Sequence, residues 1–462
     1  METTVRRLYR ETQKHEGKKV TIKGWVRNNR AQKAFGFLDL HDGSFFKTVQ
    51  VVYESEFLDS FSEVSKFRVG SCVEVTGILE PTPGGKQPFE LKARNVILLG
   101  SSEEDFPIQP KRHSREFLRE MAHLRPRTNL FNAVFRVRSL VAHAVHSFFQ
   151  DQDFVYVHTP ILTGNDGEGA GEMFKVTTLN LDKIAASDSK KLDYKHDFFQ
   201  QPVNLTVTGQ LHVESYLPAF RNCYTFGPTF RAENSNTKIH AAEFWMIEPE
   251  ISFGDINDNM ELAEDMVKYV INYIMKKAPE EMEFFNKFVE KGLLDKLKKV
   301  AESKFGRVTH KEAIDILINS NRDFENTPVH GEDLATEHEK YLVEHFDGPV
   351  YVIDWPKEIK AFYMRLNDDN KTVAAMDLLV PGAGELAGGS QREERLDVLL
   401  ARMDEMNVPK EELDWYLDLR KYGGCVHSGY GIGFERLVMY VTGIENIRDV
   451  MSFPRTVKNC KY

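Results

Sequence analysis

Apolar and polar residues alternate over five short runs near the N-terminus, KKVTIKGWVRNN, AFGFLDLHD, TVQVVYE, SCVEVTGILE and FELKARNVILLG, with Pro81, Pro83, Gly84 and Gly85 as turn residues between the later ones. A period of two predicts half-buried strands, and five of them in about a hundred residues suit a small closed barrel. Further on, Leu130, Val134, Val137, Val141, Val145 and Phe148 recur at three- and four-residue spacing, which predicts an amphipathic helix, and FVYVHTPIL follows as a strand ending at Pro160. The aromatic flanks YTFGPTF and FWMIEPEI enclose a polar stretch from Ala232 to Ala242. That pattern predicts two antiparallel strands joined by a long loop. Near the C-terminus Gly429, Gly431 and Gly433 run into the apolar stretch LVMYV, predicting a ligand close to the backbone and then a helix with Arg436 in its first turn.

Composition adds bulk and a charge asymmetry. With 462 residues, 41% of them hydrophobic, the chain can bury a large core in two or three domains. No apolar run reaches membrane-spanning length, and METTVRRLYR lacks a following apolar segment, so a cytoplasmic protein is expected. Cys72, Cys223, Cys425 and Cys460 form no CxxC pair and read as reduced thiols. The net charge of −10 is unevenly spread: residues 1–100 hold 16 Lys or Arg against 12 Asp or Glu. Arg112, Arg115, Arg119, Arg125, Arg127 and Arg136 follow, so basic groups gather where a polyanion could dock.

The barrel pattern suits an OB-fold, whose exposed strand face stacks unpaired bases. On AFGFLDL, Phe35, Phe37 and Asp39 share one face and Leu38 and Leu40 the other. Phe35 and Phe37 are either base-facing or part of the barrel core. The loop FRAENSNTKIHAAEF places an arginine, an acid, a histidine and an aromatic together. A guanidinium grips phosphate through paired hydrogen bonds and stabilises charge gathering on phosphorus oxygens. Arg231 is the candidate for that role, with His240 for outer phosphates and Phe244 for a flat base. An exposed hairpin with an Arg231–Glu233 ion pair is the competing reading.

Together the FRAE hairpin, the GxGxGxxR element and the preceding helix and strand resemble motifs 2, 3 and 1 of the class II aminoacyl-tRNA synthetases. With an OB-fold in front, the chain resembles the aspartate, asparagine and lysine subgroup. The resemblance implies an α+β architecture: an OB-fold anticodon-binding domain over 1–103, a basic hinge over 104–126, and a catalytic domain over 127–462 in which helices flank an antiparallel sheet. A helical insertion, PEEMEFFNKF onward, occupies about 279–319 and is assigned no activity. ATP binding is implied for Arg231, Glu233, His240, Phe244, Glu385 and Arg436, of which Arg231 and Arg436 are also catalytic. Mg²⁺ is implied at Asp377 and Glu385, oxygen ligands being what this ion requires. Phe37 and Gln50 take the positions that contact the anticodon, and the motif 1 helix and strand imply a homodimer.

The blocks EGAGEMF, TVTGQL and GGSQRE resemble the aspartate and asparagine branch, and by that resemblance Glu168 holds the substrate ammonium, Gln210 lies in the amino-acid pocket and Arg392 contacts the side-chain oxygen. An aspartate site wants a second cation, which the aspartyl branch places three residues after the pocket glutamine; here that position is Val213. Glu248 could accept from a carboxamide and repel a carboxylate. AENSNT, EFWMIEPE and GAGEMFKVTTL resemble the asparaginyl-tRNA synthetases over almost the whole chain. The resemblance therefore implies L-asparagine, ATP and tRNA(Asn) as substrates. One departure is Ile239, where the family often has arginine. Competing readings are an aspartyl enzyme of relaxed specificity, an asparagine synthetase-like enzyme and a non-catalytic RNA-binding paralogue.

Overall fold

The computed structural model describes residues 2–85, 87–165, 172–186 and 191–462, and the chain divides into two compact units, Met1–Phe135 and Arg136–Tyr462. In the first, strands β1 (Lys19–Ala31), β2 (Phe35–His41), β3 (Val49–Glu54), β4 (Cys72–Pro81) and β5 (Phe89–Gly100) close into a barrel in the order β1-β2-β3-β5-β4. The period-two pattern decides which way each strand faces. Val20, Ile22, Leu38, Leu40, Val51, Val73, Val75 and Leu91 point inward and form one core. Phe35, Phe37 and Asp39 alternate with them on β2 and face outward, Phe35 being 37% exposed. The core reading of the two phenylalanines is therefore excluded. A short helix, Val5–Arg10, packs Val5 and Leu8 into the same core, and its first amide is tied down by Asp42 at 2.8 Å.

The second unit is built on an eight-stranded sheet. Its strands are β6 (Val155–Tyr156), β10 (Asn222–Phe230), β11 (Glu243–Ser252), β12 (Gly306–Thr309), β13 (Val350–Pro356), β14 (Thr372–Val380), β15 (Gly384–Gln391) and β16 (His427–Gly433). They lie in the order β12-β13-β14-β15-β16-β11-β10-β6. Pairing is antiparallel from β13 through β10, whereas the outermost pairs, β12 with β13 and β6 with β10, are parallel. Three further short strands, β7 (Leu162–Thr163), β8 (Lys175–Val176) and β9 (Val203–Leu205), form a separate small sheet.

Helices flank the large sheet as the amphipathic patterns require. The helix Ile256–Lys277 starts at a capping box made by Asp255 and Asp258 and buries Met260, Ala263, Val267, Val270, Ile271 and Ile274. The helix Asn129–Gln150 buries Val134, Val137, Val141, Val145 and Phe148 in the predicted register, with Leu130 half-buried. The strand expected from Phe154 to Pro160 is only two residues long, because β6 lies at the sheet edge and pairs with Cys223 and Tyr224 alone. Within 279–319, helices Pro279–Phe288, Leu293–Glu302 and His310–Ile318 accompany β12, a sheet strand that the helical pattern of this segment did not announce.

Candidate active site

The predicted hairpin forms as β10 and β11, registered from Asn222 opposite Ile251 to Phe230 opposite Glu243. Arg231 follows the last residue of β10, and its amide donates to Ala242 O at 3.0 Å, so the loop is closed at its base by backbone alone. β16 lies on the other side of β11, and the helix Phe434–Thr442 begins where β16 ends, carrying Arg436 in its first turn. Glu435 anchors this junction: it accepts from Trp245 N at 2.9 Å and pairs with Arg138 at 2.7 Å, joining the motif 1 helix to both later motifs.

The exposed face of this sheet and its loops enclose a cavity of about 340 Å³. Ten predicted residues line it: Gln210, Arg231, Glu233, His240, Phe244, Glu248, Asp377, Glu385, Arg392 and Arg436. Glu168 lies outside the described residues. Phe37 and Gln50 sit elsewhere, side by side on the outer face of the barrel. Gln50 is paired across the strands with Asp39 and donates to Glu90 at 2.6 Å, while Phe37 meets Phe35 edge-on at 5.7 Å and has Arg30 5.7 Å from its ring centre.

At one end of the cavity the Arg231 guanidinium lies 5.4 Å from the Phe244 ring centre, and Arg436 approaches Glu385 at 3.8 Å. His240 bonds Thr237 at 2.5 Å, and burial followed by the nearby Arg436 charge lowers its pKa. Glu233 and His240 stay exposed, as a solvent hairpin requires, while Arg231 is half-buried and all three line the cavity.

Carboxylates crowd the floor between β14, β15 and the helix Thr336–His345. Burial raises the Asp377 pKa to about 6 despite Lys360, whose ammonium is 2.7 Å away. Burial and then the Glu385 charge raise Glu339 to about 7. Gly384 has φ +70°, which favours glycine, and a Cβ there would lie 2.3 Å from Glu339 Oε2 and displace that carboxylate. Because the folded pKa of Glu339 exceeds its ordinary 4.5, its stabilising contribution is complete at low pH and is lost as pH rises through about 7. Glu339→Gln should therefore raise Tm at pH 8, on the order of 2 °C, and by less than half as much at pH 5. Equal shifts at both pH values would refute the electrostatic account.

At the other end Glu248 accepts from the Thr208 hydroxyl and from Gly209 N, the latter at 2.9 Å. Arg392 forms a two-pronged ion pair with Glu250, through Nε at 3.2 Å and Nη2 at 2.5 Å, and donates to Ser390 at 2.8 Å. The Arg392 side chain is 3% exposed and that of Glu250 0%. Burial works against the Arg392 charge, but Glu250 overrides it and holds the guanidinium pKa above its usual value. Gly429 makes this possible, since a Cβ there would lie 2.1 Å from Glu250 Oε1. The first glycine of the triplet thus admits a buried acid, while Gly431 and Gly433 line the cavity.

Behind Gln210 lies a second buried carboxylate, Glu214, which accepts from Tyr416 and His427 at 2.9 Å, Arg420 at 3.1 Å and Gln210 at 3.2 Å. Burial pushes its pKa up, yet Arg420 and His427 together prevail and hold it at about 2. The sequence reading missed Glu214, Glu250 and Lys360. Glu250 carried a faint signal, an acid two residues from Glu248 on the same face of an apolar strand; Glu214 and Lys360 carried none.

This fold recurs in known proteins. Residues 114–457 match the family of class II tRNA synthetases (D, K and N), and residues 20–99 match the OB-fold nucleic acid binding domain. An asparagine--tRNA ligase from Acholeplasma laidlawii is 65% identical over 460 residues, covering 99% of both chains. One from Desulfitobacterium hafniense is 60% identical over 461 residues, covering 100% of this chain and 99% of its own. The crystal structure of asparaginyl-tRNA synthetase from Pyrococcus horikoshii complexed with asparaginyl-adenylate superposes with a TM-score of 0.84 at 32% identity over 96% of both chains. The Entamoeba histolytica asparaginyl-tRNA synthetase in complex with asparaginyl-adenylate gives 0.83 at 27% identity over 97% of both. With its two matched domains in the expected order and near full-length identity to these ligases, the chain belongs to the asparaginyl-tRNA synthetases, within the class II group that serves aspartate, lysine and asparagine.

Proposed function

We propose that this enzyme joins L-asparagine to tRNA(Asn) at the expense of ATP, through an asparaginyl-adenylate. The observation that carries the choice of amino acid is the charge balance at the Arg392 end of the cavity. Glu250 already takes up the Arg392 charge, and Glu248 brings a second carboxylate to the lining of the same cavity. Val213, at the position where the aspartyl branch carries lysine, is buried with Val157, Leu217 and Cys223. One cation faced by two anions favours a neutral carboxamide over a second carboxylate, because the wrong substrate leaves a buried charge unpaired.

In the first step an oxygen of the asparagine carboxylate attacks the α-phosphorus of ATP and pyrophosphate leaves. Arg231 donates to the charge gathering on the phosphorus oxygens, and Phe244 and Arg436 hold the adenine between them. His240 and Glu233 bind along the same nucleotide, while Glu168, Gln210, Glu248 and Arg392 hold the amino acid. In the second step the 3′-terminal hydroxyl of the tRNA attacks the adenylate carbonyl and AMP leaves. Positioning and electrostatics suffice, so no side-chain base is invoked.

Asp377 and Glu385 would hold Mg²⁺. Among the described residues no three His, Cys, Asp or Glu side chains form a preformed metal cage, which agrees with the habit of this ion of using one or two carboxylates together with substrate phosphates. Burial raises the Asp377 pKa against the opposing Lys360 charge, and burial followed by the Glu385 charge raises that of Glu339, so a cation beside these groups would favour their charged forms. When bound, Mg²⁺ neutralises phosphate charge. We further assign a homodimer through the helix Asn129–Gln150 and β6, and a cytoplasmic location; the four cysteines are unpaired, and among the described residues no helix is long and apolar enough to cross a membrane.

The deciding experiment is pyrophosphate exchange with asparagine and aspartate side by side, followed by charging of purified tRNAs. Exchange with aspartate alone would overturn the assignment. Glu248→Gln should narrow the ratio of kcat/KM between the two amino acids, since it removes the repelling carboxylate while its amide can still meet Thr208 and Gly209. A ratio left unchanged would make Glu248 structural. Phe37→Ala should raise the KM for tRNA(Asn) by about tenfold, a lost stacking platform costing roughly 1–3 kcal/mol. Pyrophosphate exchange should remain untouched, and equal losses in both assays would point to a folding defect.

A further inference from the structure

Gln210 opens a short helix and is 8% exposed, with its side chain at the cavity wall. Its amide has two chemically different ends, and the one that faces the substrate decides whether the pocket offers a donor or an acceptor. The carboxylate of Glu214, one helical turn further on, settles this. An ionised carboxylate can only accept, through about four lone-pair sites, and four donors converge on this one: Tyr416, Arg420, His427 and Gln210. The group of Gln210 turned towards Glu214 must therefore be its NH₂. Its oxygen is left on the cavity side, and no donor among the described residues reaches it.

We propose that Glu214 is a positioning residue: it pins the amide nitrogen of Gln210 so that the amide oxygen is presented to the cavity as an acceptor for the α-ammonium group of asparagine. The carboxamide end of the substrate is served by Arg392 and Glu248, which leaves the ammonium as the donor for this oxygen. Tyr416, Arg420 and His427 come from two other elements, the helix Asp414–Lys421 and β16, and fix the carboxylate, Arg420 and His427 on Oε1 and Tyr416 on both oxygens. The orientation is thus imposed by the fold rather than by the substrate. This inference rests on reading the cavity as the asparagine site, and failure of that reading would show separately, as no asparagine-dependent pyrophosphate exchange by the unaltered enzyme.

The test uses two stable adenylate mimics, asparaginyl-sulfamoyladenosine and the same compound lacking the α-amino group, so that the nucleotide secures measurable binding of both. In Glu214→Gln the oxygen at position 214 stays with Arg420, Tyr416 and His427, and its new NH₂ faces Gln210, which must turn its oxygen inward and its NH₂ to the ammonium. The preference for the aminated compound should fall at least tenfold, while the affinity for the deaminated compound and the KM for ATP change less than about twofold. Adding Gln210→Glu to that variant restores an acceptor on the cavity side and should recover the preference. Equal weakening of both compounds, an unchanged preference, or a loss that the second substitution does not recover would each overturn the proposal. Should Glu214→Gln fail to fold, a crystal structure of the unaltered enzyme with the aminated compound decides the matter. Gln210 Oε1 within about 3.2 Å of the ammonium nitrogen supports the proposal, and an ammonium held without Gln210 sinks it.

Discussion

Replacing Arg231 by alanine should cut asparagine-dependent pyrophosphate exchange by about 100-fold or more, the scale seen when one preorganised donor to a developing oxyanion is removed. The fold should survive, because the side chain is not what closes the hairpin: the Arg231 amide bonds Ala242 O at 3.0 Å, and β10 and β11 remain paired from end to end without it. The loss should fall mainly on kcat, since charge on the α-phosphorus oxygens grows only as the carboxylate adds, and an interaction made chiefly in the transition state leaves ground-state binding less affected. Phe244 would lose a cation 5.4 Å from its ring centre, so a modest rise in the KM for ATP is expected as well. Near-normal exchange by a folded Arg231→Ala enzyme would rule out the role given to this residue.

What the chain disclosed before its structure was local in character. Period-two alternation on β2 placed Leu38 and Leu40 inside and Phe37 outside, because a strand in a small barrel has one wet face and one dry face and its pattern must obey that geometry. The polar interval between two aromatic runs marked the hairpin for a similar reason, a long loop having to satisfy its backbone in water. The parts that stayed hidden depend on partners far away in sequence. Arg392 and Glu250 are 142 residues apart, and Glu214 and His427 are 213 apart. Nothing near Glu214, and near Glu250 only the apolar strand it shares with Glu248, tells a buried, paired carboxylate from a solvated one. β12 escaped for another reason: four residues between two helices carry too little periodicity to announce a strand, and its pairing with β13 is decided by the sheet already present. Gly429 was recognised as a position that must stay small, but the group it makes room for is the Glu250 carboxylate and not a ligand.

That buried pair supplies the other large effect. Arg392→Met should destabilise the protein by about 3–5 kcal/mol, because it leaves the Glu250 carboxylate without its cation in a fully buried place. It should also lower kcat/KM for asparagine by about 100-fold or more, the substrate carboxamide losing a charged donor. These two losses have different causes, and a second substitution separates them. Changing Glu250 to methionine in the same protein removes the stranded charge and fills similar volume, and exchanging a whole buried ion pair for apolar side chains is often neutral or stabilising. The Arg392→Met/Glu250→Met enzyme should therefore regain most of the lost Tm while staying unable to activate asparagine. If the double variant melts as low as the single one, the pair is not what the fold depends on here. If it regains pyrophosphate exchange, Arg392 acts on the substrate only through the structure around it, and the contact assigned to its guanidinium must be given up.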